Sequence, residues 1–108
     1  MMQSAQIDTV LRALSDPTRR GVFERVARAE LNVLELTRDS GVTQGAVSQH
    51  LKLLKQAGLV VERPQGRKVF YRARPDGLAP LFDWLSHYDV FWRDRFADLR
   101  ALLKEIDE

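Results

Sequence analysis

Apolar residues recur at helical spacing through most of the chain, and the interruptions mark where elements start and stop. Ile7, Val10, Leu11 and Leu14 form one face of a short first helix. Ser15-Asp16-Pro17 then breaks and restarts the chain. Asp16 is placed to cap the next helix, and Pro17 suits its first position, where no backbone N–H is needed. That helix should run to about Ala29 and bury Val22, Phe23 and Val26. Asn32-Val33-Leu34-Glu35 reads as a capping box opening a short helix to about Ser40. Gly41 supplies a tight turn, Thr43 caps a further helix over Gln44 to Ala57, and Gly58 ends it.

The periodicity then changes. Leu59-Val60-Val61-Glu62-Arg63 and Lys68-Val69-Phe70-Tyr71-Arg72 are rich in β-branched and aromatic residues, and Pro64-Gln65-Gly66-Arg67 between them is a turn sequence. These predict a two-stranded hairpin with a basic tip. From about Asp76 onward the pattern is helical again, with Pro80 acceptable only in the first turn. The expected fold is therefore mainly α, with five helices and a small β-hairpin. The order helix, tight turn, helix, hairpin is that of a winged helix-turn-helix, which places its second motif helix in the DNA major groove. No repeat, linker or low-complexity tract divides the chain, so residues 1–108 are expected to form one domain, with dimerisation helices at both ends.

The Gln44–Ala57 helix has two sharply different sides. With Val47 at 0°, Val47, Leu51, Leu54, Ala57, Ala46 and Leu53 fall between about 240° and 40°. Gln44, Lys55, Ser48, Lys52, Gly45, Gln56 and Gln49 fall between about 60° and 200°. An ordinary solvated face would interleave Glu with Lys; this one carries no acid. Amides, a hydroxyl and lysines suit base edges and phosphates, which carboxylates would repel. Gly45 costs ~1 kcal/mol of helix propensity relative to Ala and would let the backbone approach a groove wall. Gln44, Ser48 and Gln49 are the candidates for reading base edges, and Thr43 and Lys52 for holding phosphates. Arg67 and Lys68 at the wing tip would reach flanking backbone or the minor groove. His50, near 300° and so on the apolar flank, is open between a packed, backbone-bonded histidine, a phosphate contact and a metal ligand.

Charge sharpens the picture more than composition does. The net charge of +2 hides an uneven distribution. Residues 1–51 balance six Arg against six acids, while residues 52–74 set Lys52, Lys55, Arg63, Arg67, Lys68, Arg72 and Arg74 against Glu62 alone, a net of +6. From Pro75 onward four basic residues face eight acidic ones, a net of −4. A basic middle and an acidic end imply that one surface meets a polyanion and another does not. With no cysteine there is no disulfide, thiolate metal site or cysteine nucleophile. No apolar run is long enough to span a membrane, and no secretory signal pattern opens the chain, so a cytoplasmic protein is expected. No phosphate-cradling glycine loop and no spaced His–acid–nucleophile set argue for an enzyme. The competing function is a winged helix used only for protein contacts, which a salt-dependent mobility shift on random duplex would separate from DNA binding.

Asp16-Pro17-Thr18-Arg19-Arg20, the segment Val47-Ser48-Gln49-His50-Leu51-Lys52 ending in Ala57-Gly58-Leu59-Val60, then Gly66-Arg67 and Tyr71, resemble the ArsR family of bacterial repressors. The resemblance covers nearly the whole chain. It implies a dimeric winged helix that represses its operator and often releases it on binding a metal or small molecule. Metal-responsive members carry Glu-Leu-Cys-Val-Cys-Asp-Leu where this chain has Glu30-Leu31-Asn32-Val33-Leu34-Glu35-Leu36, so both thiolates are replaced and a soft-metal site of that type cannot form. Asp83 and His87 lie one turn apart on the last helix, but their spacing does not match the family's second metal site. No metal or cofactor is therefore expected, and the C-terminal pattern resembles a metal-independent branch.

A last helix of about 30 residues would be ~45 Å long, too long to find partners within one small domain. Yet it stays apolar through Leu78, Leu81, Leu85, Tyr88, Trp92, Phe96, Leu99, Leu103 and Ile106, with Trp84 and Phe91 widening the stripe. Such a patch marks an interface. The expected homodimer contacts are Val10, Leu11, Leu81, Leu85, Tyr88, Trp92, Phe96 and Leu99. A small organic effector in an aromatic pocket near Trp84, Tyr88 and Trp92 is a further partner compatible with the pattern; the alternative is that these aromatics are simply dimer core.

Overall fold

The computed structural model describes residues 2–107; the side chains of residues 2–4, Trp92 and Asp107 lie outside the described set. Six helices and three strands follow in the order α1 (Met2–Ser15), α2 (Pro17–Arg28), β1 (Leu31–Asn32), α3 (Val33–Thr37), α4 (Gln44–Gln56), β2 (Val60–Gln65), β3 (Lys68–Ala73), α5 (Ala79–Ser86) and α6 (Asp89–Asp107). Among the described residues no helix is long and apolar enough to cross a membrane.

Local capping chemistry explains most of the boundaries. The Asp16 carboxylate accepts from the Arg19 amide at 3.0 Å and starts α2. The two arginines of the same motif turn back onto the preceding helix. Arg19 donates to the carbonyls of Ala13 and Arg12, and Arg20 to that of Leu14, at 2.5, 3.1 and 2.8 Å. They satisfy carbonyls that the end of α1 leaves without intrahelical partners. The capping box of α3 is complete: Asn32 Oδ1 accepts from the Glu35 amide at 2.9 Å, and Glu35 Oε1 accepts from the Asn32 amide at 3.0 Å. Arg25 of α2 then holds the far end of α3 by donating to the Leu36 and Glu35 carbonyls.

α3 is shorter than its pattern suggested, ending at Thr37 rather than near Ser40. Asp39 adopts φ +56°, and Ser40 Oγ donates to the Thr37 carbonyl, which together fold the chain out of the helix. Gly41 at φ +73° completes the turn. Thr43 Oγ1 accepts from the Ala46 amide and opens α4. Gly58, at φ +75°, closes it in a Schellman arrangement, its amide reaching the Lys55 carbonyl and that of Leu59 reaching Leu54.

The sheet has three strands, not two, in the order β1-β3-β2, all antiparallel. β1 is a two-residue strand, Leu31 opposite Tyr71 and Asn32 opposite Phe70, too short to announce itself by alternation. The β2–β3 hairpin is longer than expected: Gln65 faces Lys68 across a Gly66-Arg67 loop, with Gly66 at φ +62°. Pro64 therefore lies inside β2, which is tolerated because β2 is an edge strand.

Val10, Ala13, Val22, Val26, Leu36, Val47, Leu51, Leu54, Leu59 and Val60 form the core. α2 and α3 pack on α4, and α1 packs on α2 and α5. Gly77 sits so close to this body that a Cβ would lie 2.8 Å from the Gly58 carbonyl oxygen. The C-terminal segment differs most from expectation. It is two helices, because the amides of His87 and Tyr88 bond back three residues, to Trp84 and Leu85, and Ser86 Oγ draws on the Asp83 carbonyl. No proline or glycine marks that break. α5 stays on α1, but no pairing of α6 with another element reaches comparable extent. The radius of gyration is 17.1 Å, against about 13 Å for a compact chain of this length, because α6 projects from the body.

Candidate nucleic-acid interface

The buried side of α4 anchors its exposed side. Val47, Leu51 and Leu54 are almost fully enclosed, so the helix cannot roll without opening the core. Thr43, Gln44, Ser48, Gln49 and Lys52 are all exposed, as are Arg67 and Lys68 at the wing tip. Gly45 is open, with nothing within 4 Å of where a Cβ would sit. The structure thus leaves every residue singled out for nucleic-acid contact free to meet a ligand.

Ion pairing separates the basic residues of the middle region into two groups. Lys55 pairs with Glu62, Arg74 with Asp76 at 2.9 Å, and Arg63 and Arg72 both with Glu30, the latter at 4.0 Å. Lys52, Arg67 and Lys68 have no ion-pair partner among the described residues. The Lys55 pairing modifies the acid-free picture of α4: the helix itself has no carboxylate, but Glu62 arrives from β2. Glu30 is a residue that sequence reasoning passed over, since Arg63 and Arg72 lie more than thirty positions away. Its hydrogen bond from the Arg63 guanidinium holds its carboxyl below the ordinary value.

His50 is half-buried, and its Nδ1 is enclosed with no hydrogen-bond partner. Of the three readings left open for His50, its partial burial favours the packed one, but among the described residues no backbone bond reaches that nitrogen. Asp16 feels its proximity: the carboxyl is lowered first by the Arg19 amide and further by the field of His50. Burial raises the Tyr71 hydroxyl above its ordinary value. Among the described residues no group of three His, Cys, Asp or Glu is placed to hold a metal ion. Asp83 and His87 form no ion pair there. At the family's thiolate positions the Asn32 carboxamide is committed to capping α3 and Leu34 offers no donor atom, so the residues present do not fit a soft metal.

The expected dimer residues divide. Val10 is 2% exposed and belongs to the chain's own core, because it sits at the junction of α1 with α2 and α5. The surface of α1 on that side is Leu11 instead, which is exposed. Leu81 is half-buried against the core. Leu85, Tyr88, Phe96 and Leu99 are exposed, and the side chain of Trp92 lies outside the described residues. Trp84 and Tyr88 pack on each other with ring centroids 5.2 Å apart. A separate groove of about 370 Å³ at the α5–α6 bend is lined by Phe82, Leu85, Ser86, Asp89, Arg93 and Phe96.

Comparison with known proteins agrees with this geometry. The sequence profile described as "Bacterial regulatory protein, arsR family" matches residues 16–61, the stretch from the α2 cap through α4 into β2. The HTH-type transcriptional regulator Rv2034 of Mycobacterium tuberculosis is 48% identical over 85 residues, covering 79% of this chain and 77% of that protein. An ArsR-like transcriptional regulator from Rhodococcus sp. RHA1 superposes with a TM-score of 0.76 at 28% identity, covering 94% of this chain and 96% of the other. The homodimeric winged helix-turn-helix DNA-binding domain Mb0332 from Mycobacterium bovis, solved in solution, gives a TM-score of 0.65 at 28% identity over 76% of each chain. A capped α4 with an exposed polar face, a glycine-tipped wing and this likeness lead to one conclusion: the chain belongs to the arsR family of bacterial regulatory proteins, as a transcriptional regulator built on a winged helix-turn-helix DNA-binding domain.

Proposed function

We propose that the chain is a homodimeric repressor that binds an inverted-repeat operator, with α4 of each copy in the major groove and each wing on the flanking backbone. The observation that carries this reading is the free surface of α4 and the wing. It carries the base-reading candidates Gln44, Ser48 and Gln49 together with Lys52, Arg67 and Lys68, which have no ion-pair partner among the described residues, while Lys55, Arg63, Arg72 and Arg74 are paired with carboxylates. Unpaired lysine and arginine beside amides and a hydroxyl is the chemistry of phosphate positioning combined with base readout. The apolar, exposed face of α5 and α6 supports pairing of two copies, as does the homodimeric state stated for the Mycobacterium bovis relative. Asn32 and Leu34 support a metal-independent mode of regulation.

Selecting bound sequences from a random duplex pool tests the proposal. The expected outcome is a palindromic site whose half-sites are centred about 10 base pairs, or a multiple of that, apart. Enrichment of an asymmetric single half-site would overturn the dimeric mode. Absence of any salt-dependent duplex binding would favour a module that contacts protein alone.

A further inference from the structure

The pairing of the sheet places Glu30 where it governs the wing. In the β2–β3 ladder Val61 faces Arg72, Arg63 faces Phe70, and Gln65 faces Lys68. Side chains alternate along a strand, so these residues share one face of the hairpin, while Val60, Glu62 and Tyr71 take the other. Asn32 of β1 faces Phe70, and Glu30, just before β1, reaches the first of these faces through its contacts with Arg63 and Arg72. Three cations stand on that face: Arg63, Arg72 and Lys68. Glu30 engages two of them. Its Oε1 accepts from Arg63 Nε at 2.9 Å and from a second guanidinium nitrogen, and its Oε2 lies 4.0 Å from Arg72. Arg63 is further held over the Phe70 ring at 5.3 Å and donates to Gln65 Oε1 at 2.9 Å.

Resting on the DNA-binding reading above, we infer that Glu30 is a positioning and specificity-setting residue of the wing. It ties the link between α2 and β1 to both wing strands. It also withdraws two arginines from the phosphate field, leaving Lys68 and Arg67 as the wing's contacts. Phosphate contacts add affinity without sequence information, so each cation withheld raises the ratio of specific to non-specific binding.

The inference predicts a gain where a merely structural role predicts a loss. Glu30→Gln keeps the shape of the side chain and removes its charge. The variant should bind a random-sequence duplex of ~30 base pairs more tightly than the wild type, since such a length spans two half-sites and their flanks. Its plot of log affinity against log salt should steepen by about 0.9 for each arginine that reaches a phosphate. Its preference for the duplex recovered by wild-type selection over random duplex should fall. Arg63→Gln with Arg72→Gln in the Glu30→Gln background should return the salt slope to the wild-type value. An unchanged or shallower slope in Glu30→Gln, with the wild type binding normally, overturns the inference and leaves the DNA-binding reading intact. If the wild type itself binds neither duplex, that underlying reading fails instead.

Discussion

Thr43, Gln44, Ser48, Gln49 and Lys52 project from α4 with Val47, Leu51 and Leu54 buried directly behind them; α6 has no such row. Every described side chain of α6 is exposed, including Leu99, Leu103 and Ile106. Both surfaces face solvent, yet they differ in kind. The face of α4 is polar and fixed by the core behind it, so it is preorganised to meet a ligand at no cost to the fold. The face of α6 is apolar and projects from the body, a surface of the kind that marks interfaces. One helix is seated in the core of its own chain, and the other is the surface on which the proposed pairing of two copies rests.

The comparison breaks most visibly if α6 is made polar. Leu99→Asp with Leu103→Asp would place unpaired charges in an interface, at about 3–5 kcal/mol for an uncompensated buried charge. Light scattering at micromolar concentration should then report a monomer, against the dimer proposed for the wild type. Binding to a palindromic duplex should fall by about 100-fold as the avidity of paired half-sites is lost. A wild type that already scatters as a monomer would contradict the contrast itself.

A smaller change sharpens the α4 side. Lys52 has no ion-pair partner among the described residues, whereas Lys55 on the same helix pairs with Glu62. Lys52→Ala should flatten the salt dependence by about 0.9 per lost phosphate contact, and Lys55→Ala should leave it nearly unchanged. Equal effects in a salt titration would mean that intramolecular pairing does not select the contacting cations.

The smallest effect concerns acid. The carboxyls of Asp16 and Glu30 are held below their ordinary values of 3.8 and 4.5, by the Arg19 amide and the Arg63 guanidinium respectively. Groups of this sign stabilise the fold above their unfolded values, and that contribution is lost as pH falls through the lowered folded values. Denaturation midpoints should therefore be insensitive to these groups near neutrality and decline from about pH 4.5 downward. Glu30→Gln should make that decline shallower, as followed by circular dichroism.

Much of the fold was readable residue by residue. The Asp16 cap, the Asn32–Glu35 capping box, the Thr43 cap and the Gly58 terminator each depend on neighbours within a few positions, and each appears in the structure as its local chemistry requires. The two faces of α4 were equally plain, because helical periodicity assigns them without knowledge of the partner. Some readings that changed depended on contacts between distant segments, and others on local backbone turns that no proline or glycine announces. Val10 was expected at the interface with the rest of the first helix, but it is buried in the chain's own core. β1 has only two residues and exists through its pairing with β3. The break at His87 and Tyr88 has no proline or glycine to signal it.

The order of side chains alone determined the capped helix starts, the Gly58 end of α4, the acid-free surface of α4 and the apolar run at the C-terminus, since each follows from backbone and side-chain chemistry within about one or two turns. Only the tertiary structure decided which cations remain free. Arg63, Arg72 and Lys68 look alike along the chain, and a carboxylate more than thirty residues away engages two of them and leaves the third. Electrostatic pairing acts through space, so a basic segment becomes a defined set of contacts when folding brings Glu30 to the wing.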